Sequence, residues 1–144
     1  MTEEKEVLTG GCICGGVRFE TNEQPQGISH CHCSYCRKMS GSPFSTGLFY
    51  RSDAVRWSGK MTSYESSPGI FRVFCPTCGC SLAFREGAAP EKDAVLLGVL
   101  DDPSKIEVND NVNHIFAKYE LSWLHMNDGF PRSEELPGSL FKVK

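Results

Sequence analysis

His30-Cys31-His32-Cys33-Ser34-Tyr35-Cys36-Arg37-Lys38 sets three thiols within six residues and interleaves two histidines with them. Packing alone does not explain such a stretch, because a buried cysteine behaves as a small apolar residue with no need of a second thiol beside it. It reads as half or more of a metal site. A pair precedes it, Cys12-Ile13-Cys14, and a group follows it, Cys75-Pro76-Thr77-Cys78-Gly79-Cys80, so all eight cysteines fall into three tight clusters.

Composition narrows the reading of those thiols. At 144 residues the chain has the usual size of one domain with a sizeable core. The expected domain is the whole chain, 1–144, with a core of 7–137 and tails at 1–6 and 138–144. Fifteen Lys and Arg against eighteen Asp and Glu give a net charge of −3, which disfavours nonspecific binding to nucleic acid. The polar, acidic start Met1-Thr2-Glu3-Glu4-Lys5-Glu6 lacks the order of a secretory signal, and no apolar run approaches the roughly 18 residues a membrane helix requires. A cytoplasmic protein without a membrane partner is the expectation. In a reducing cytosol clustered thiols are more often metal ligands or redox groups than disulfides. Cysteines one residue apart, as in Cys12/Cys14 and Cys31/Cys33, also suit the narrow geometry of a disulfide poorly.

Outward from the cysteines the chain is a run of short strands. Glycines flank the first pair, as backbone folded closely round an ion requires. Val17-Arg18-Phe19-Glu20 alternates apolar and polar residues. If Ile28 to Cys33 is extended, Cys31 and Cys33 share one face and His30 and His32 the other, which makes the histidines poor fellow ligands for one ion. Ser34 to Ser40 reads as a short helical turn ended by Gly41-Ser42-Pro43. Further strands are expected at 46–50, 54–57, 61–65, 70–74, 81–85 and 94–100, separated by turn signals such as Ser66-Ser67-Pro68-Gly69 and Asp101-Asp102-Pro103. The fold class is all-β, with few short helices. Beyond Pro103 the pattern weakens; His114-Ile115-Phe116-Ala117 and Ser122-Trp123-Leu124 are expected to close the core.

Ligand counting divides the cysteines. Cys75-Pro76-Thr77-Cys78-Gly79 is a knuckle that supplies two ligands, and a closed tetrahedral zinc site needs four. Cys12 and Cys14 are the natural donors of the other two. Cys31, Cys33 and Cys36 then form a set of three, the pattern of a catalytic zinc with one position open. Cys80, His30 or His32 could each supply a fourth ligand and close that site.

With Gly11-Cys12-Ile13-Cys14-Gly15-Gly16-Val17-Arg18-Phe19, then Cys31-His32-Cys33-Ser34-Tyr35-Cys36-Arg37-Lys38, then Arg72-Val73-Phe74-Cys75-Pro76-Thr77-Cys78-Gly79, the chain resembles the glutathione-dependent formaldehyde-activating enzyme family, which includes centromere protein V. The likeness extends to Gly98–Pro103, His114-Ile115-Phe116, Trp123 and Asp128-Gly129-Phe130-Pro131. It implies a β-tent fold of mainly antiparallel sheets holding two zinc ions. The structural zinc maps onto Cys12, Cys14, Cys75 and Cys78, and the catalytic zinc onto Cys31, Cys33 and Cys36.

The implied activity is that of a carbon–sulfur lyase acting on a thiol–aldehyde adduct such as S-hydroxymethylglutathione, from glutathione and formaldehyde. Arg37, Lys38 and Arg72 are candidates to pair with the carboxylates of an acidic thiol. A small-molecule thiol or its adduct is thus the expected partner, and a homo-oligomer is compatible with this reading. A non-catalytic zinc-stabilised binding module and a thiol redox enzyme are the competing classes. Cys80 stands where relatives commonly carry a small hydroxyl residue.

Overall fold

The computed structural model describes residues 4–136, so residues 1–3 of the expected tail at 1–6, residue 137 of the expected core and the whole expected tail at 138–144 lie outside the described residues. It is built from two β-sheets and one α-helix. The smaller sheet has three strands, β1 (Leu8–Gly11), β2 (Arg18–Thr21) and β5 (Val55–Ser58), in the order β1-β2-β5. The larger has seven: β3 (Gly27–Cys31), β4 (Ser45–Arg51), β6 (Thr62–Ser67), β7 (Ile70–Phe74), β8 (Ser81–Glu86), β9 (Lys92–Leu96) and β10 (Val112–Ile115). Their order is β10-β3-β4-β9-β8-β7-β6. Every named pair is antiparallel except β3 with β10, which run parallel. The all-β, mainly antiparallel class read from the sequence is the class observed.

The alternation in β2 does what a period of two should. Phe19 and Thr21 point inward while Arg18 and Glu20 face solvent. Phe19 packs at 5.0 Å from the Trp57 ring of β5 and 6.3 Å from the Tyr50 ring of β4, so one side chain joins the two sheets. Around it Val17, Leu48, Leu82 and Val95 are fully buried. Burial of each large apolar side chain contributes about 1.5–3 kcal/mol. In β4 the run Gly47 to Tyr50 is buried on both faces, as befits a strand near the middle of the larger sheet. The hairpin between β6 and β7 turns at Pro68-Gly69, with Pro where φ is pre-set and Gly69 at φ 76°.

Helix α1 (Ser34–Ser40) coincides with the expected turn and ends at Gly41. Two expectations need correction. The apolar run 94–100 is not one strand: β9 stops at Leu96, and Leu97–Val99 form a 3₁₀ turn. That turn brings Leu100 back to bridge Gly10 and lets the N–H of Asp101 donate to the Thr9 carbonyl at 2.9 Å. Val99 and Leu100 are nonetheless buried, so the run encodes burial rather than extension. Trp123 does not close the core, being 72% exposed. His114 and Ile115 on β10 do so as expected, together with Val112, and Phe130 packs partly against the core.

Strand β10 lies at one edge of the larger sheet, where the segment 131–133 covers it. His114 N–H donates to the Pro131 carbonyl and Ser133 N–H donates to the His114 carbonyl, both at 2.9 Å.

Candidate functional site

Two turns meet at the first thiol group. After β1 the chain reverses at Cys12-Ile13-Cys14, with Gly15 N–H on the Cys12 carbonyl at 3.1 Å. After β7 it reverses at Cys75-Pro76-Thr77-Cys78, with Gly79 N–H on the Cys75 carbonyl at 2.9 Å. Gly15 and Gly79 follow the second cysteine of each turn at φ 77° and 75°, a conformation that a side chain would strain. The sulfurs of Cys12, Cys14, Cys75 and Cys78 all lie within 4.8 Å of one another. Cys12 Sγ is 3.5 Å from Cys14 Sγ, which is 3.8 Å from Cys75 Sγ. Tetrahedral bonds of about 2.3 Å require sulfurs about 3.8 Å apart, so the donor set fits zinc.

The electrostatics of this group are those of thiols sharing protons. Burial pushes the Cys12 thiol up, but the Val17 N–H at 3.3 Å and the neighbouring thiols outweigh it and bring it down to about 6. The Gly16 N–H pulls Cys14 down; the thiols of Cys12 and Cys75 overcome it and raise Cys14 to about 12. A metal ion takes the place of such shared protons.

The second group is local. Cys31 ends β3, Cys33 is the N-cap of α1 and Cys36 lies in its first turn. The Cys36 N–H donates to Cys33 Sγ at 3.3 Å, and Arg37 N–H to the Cys33 carbonyl at 3.0 Å. The helix start thus folds Cys36 back onto Cys33. These three sulfurs also lie within 4.8 Å of one another; Cys31 and Cys36 are buried and Cys33 is partly open. Hydrogen bonds from the Cys31 and Cys36 thiols lower Cys33 to about 2, and the same contacts raise Cys31.

Of the three basic candidates, Arg72 on β7 reaches the sulfurs: its guanidinium donates to Cys36 Sγ at 3.2 Å and to Ser66 Oγ at 3.1 Å, and lies 4.9 Å over the Phe84 ring. Arg37 and Lys38 are exposed in the last turn of α1. Cys80 does not join the three-thiol group. It leaves the knuckle beside the four-thiol group, donates to the Ser81 carbonyl at 3.7 Å and packs against the core, and burial raises its thiol.

His30 and His32 stand outside both thiol groups. Their rings each lie 5.1 Å from the Phe44 ring and at 4.8 and 5.2 Å from the ring of His114. Burial, then the nearby His114, lowers His30 to about 4, and burial lowers His32 as well, so the surroundings disfavour the charged form of both rings. A hydrogen-bonded line runs from His32 Nε2 to His114 Nδ1 at 2.9 Å, and from His114 Nε2 to Asp128 Oδ2 at 2.7 Å. Sequence reasoning noted His114 and Asp128 without giving them chemistry, since 14 residues separate them and no spacing rule joins them.

A hollow among the described residues lies away from the thiols, lined by Trp57, Met61, Phe71, Arg85 and Asp93 among others. Trp57 and Arg85 already hold the Asp93 carboxylate there, at 3.0 and 3.1 Å.

Residues 7–119 match the sequence profile of the glutathione-dependent formaldehyde-activating enzyme family. Over 75 residues, 52% of this chain, the sequence is 31% identical to a Schizosaccharomyces pombe protein described as an uncharacterized lyase; the chain spans about half of that relative, 55% of its length. The fold is similar to the crystal structure of a Rhodobacter sphaeroides protein, with a TM-score of 0.54 and 26% identity, covering 70% of this chain and 90% of that one.

Proposed function

This chain belongs to the glutathione-dependent formaldehyde-activating enzyme family, and from that premise we propose that it is a zinc-dependent carbon–sulfur lyase acting on a thiol–aldehyde adduct such as S-hydroxymethylglutathione. The observation that carries this reading is a group of three thiols, one short of a closed tetrahedral site, with a guanidinium set on one of its sulfurs. In the proposal Cys12, Cys14, Cys75 and Cys78 hold a structural zinc, and Cys31, Cys33 and Cys36 hold a second, with its fourth position open.

A zinc bound there supplies a lowered pKa for an incoming thiol, or polarisation of an aldehyde oxygen. The residues of the chain do the rest. Cleavage of an adduct R–S–CH2–OH releases the hydroxyl proton to water, forms the C=O bond of formaldehyde as the C–S bond breaks, and leaves the electron pair of that C–S bond on sulfur. The product is a thiolate, and Arg72 places a fixed cation where that charge develops. Stacking on Phe84 and the bond to Ser66 keep the guanidinium there before substrate arrives. Arg37 and Lys38, exposed on the neighbouring helix, stand ready for the carboxylates of an acidic thiol such as glutathione.

Thiol and aldehyde combine without help, so the test is a rate of exchange rather than product formation. Zinc-loaded protein should accelerate exchange between S-hydroxymethylglutathione and free glutathione in NMR exchange spectra, and Cys33→Ala should abolish the acceleration. Wild-type protein that neither accelerates exchange nor takes up a thiol at its metal would overturn the reading.

A further inference from the structure

We propose that His114 is a positioning residue for the three-thiol group: held by Asp128, it fixes the ring of His32, and with it the turn that carries Cys31 and Cys33. This rests on the reading of that group as a metal site.

His32 is the middle residue of Cys31-His32-Cys33, so its side chain is a handle on the backbone between two proposed ligands. Its own N–H donates to the Ile115 carbonyl at 3.1 Å, which extends the parallel pairing of β3 with β10 by one step. Its ring is buried, 2% exposed, and Nε2 has one bond, to Nδ1 of His114, which is 0% exposed. His114 is held in turn from both sides of its backbone by 131–133, and through Nε2 by Asp128. The far end is anchored as well: Asp128 Oδ1 accepts the Phe130 N–H at 3.1 Å and Arg132 at 3.4 Å, while Arg132 also bonds Glu120.

With His114 neutral the line has one polarity. A carboxylate only accepts, so His114 Nε2–H donates to Asp128; Nδ1 of the neutral ring is then the acceptor, and His32 Nε2–H donates to it. The tautomer of His32 is therefore set two groups away, at Asp128, in the manner by which outer partners orient metal-bound side chains. His30, His114 and Asp128 also gather within 4.8 Å, but this does not make a third metal site. The 2.7 Å bond between His114 and Asp128 occupies the two groups that would bind an ion, and Arg132 is a cation already on the same carboxylate.

The two amides that imitate half of a histidine separate this role from mere support. The oxygen of Asn can occupy the place of Nδ1 and keep the bond to His32; the nitrogen of Gln can occupy the place of Nε2 and keep the bond to Asp128. Each loses one buried hydrogen bond, so a purely structural role moves both variants alike. Full-length protein loaded with Co(II) is the probe, read by its thiolate-to-cobalt absorption and by the rate of cobalt transfer to a chelator.

His114→Gln is expected to change the band of the three-thiol group and speed its cobalt release by roughly 10-fold, whereas His114→Asn restores both and the four-thiol band is unchanged throughout. Equal effects of Asn and Gln, or none, would overturn the proposal, as would a third equivalent of cobalt lost in both variants. Should His114 variants fail to fold, Asp128→Ala, at the partly open end of the line, is expected to speed release from the three-thiol group alone; release at the wild-type rate overturns the proposal. Cobalt stoichiometry unaltered in Cys33→Ala defeats the metal reading first, and this inference with it.

Discussion

The two thiol groups are made of the same atoms and differ in where the chain supplies them. Four thiols come from turns 61 residues apart, at the end of β1 and the end of β7, and draw together segments of both sheets. Three come from one bend between β3 and α1. Closing a long loop is what an unfolded chain resists most, so an ion in the first group acts on folding, whereas an ion in the second adds little closure beyond what the helix start already provides. In the proposed reading, the local group can leave a position open because the fold does not depend on filling it.

Variants that remove one thiol from each group test this contrast most strongly. Cys75→Ser, at a sulfur 2% exposed, is expected to cost on the order of 5 kcal/mol or more and to abolish a cooperative thermal transition in zinc-containing buffer. If Cys75→Ser melts like wild type, the distinction collapses. Cys33→Ala should do the reverse, lowering exchange activity by roughly 100-fold or more while changing stability by about 1 kcal/mol or less, as followed by calorimetry and zinc content.

Arg72 sharpens the comparison within the local group. Arg72→Ala removes a charge-assisted bond to Cys36 worth about 1.5–3 kcal/mol, so kcat/KM for adduct cleavage should fall by roughly 10- to 100-fold with the zinc content intact. Arg72→Lys should recover part of the rate, since the charge returns but the forked geometry does not.

The smallest effect belongs to the four-thiol side. Arg18, four residues past Cys14, pairs with Asp101, and the bonds from Arg18 and Thr9 hold that carboxyl below its ordinary value. A depressed carboxyl contributes its stability above the ordinary carboxyl range and loses it as pH falls below that range. Both partners are about half exposed, so Asp101→Asn should destabilise by about 0.5 kcal/mol or less at pH 7. The gap between the two melting temperatures should narrow as pH falls below the ordinary carboxyl range.

Much of this arrangement was legible in the residues. Spacing separates a C-x-x-C knuckle from a C-x-C-x-x-C bend, and counting ligands distributes seven thiols over two groups as the coordinates do. The hairpins announced themselves through period and turn residues, because both are local properties. What escaped was non-local. Nothing near Val112 reports that it will lie parallel to Ile28, since a parallel partner is set by the rest of the sheet. With that pairing hidden, the line from His32 to Asp128 was hidden too. Arg72 could be named as a cation, but its choice of Cys36 over solvent depends on β7 lying against α1. Trp123 misled because a large apolar side chain reports a tendency to be buried, whereas this one is left mostly exposed.

The cover that 131–133 lays over β10 also bears on how the molecule behaves in a crowd of its own copies. A sheet edge with free N–H and C=O groups recruits further strands, and seven strands ending on a bare β10 would offer such a template. Here the covering segment begins with Pro131, which has no N–H to extend a ladder, and Arg132 is folded back onto Glu120 and Asp128. The larger sheet is stopped at that edge by the same few residues that hold His114, so loosening them to free the histidine would also open the protein to aggregation.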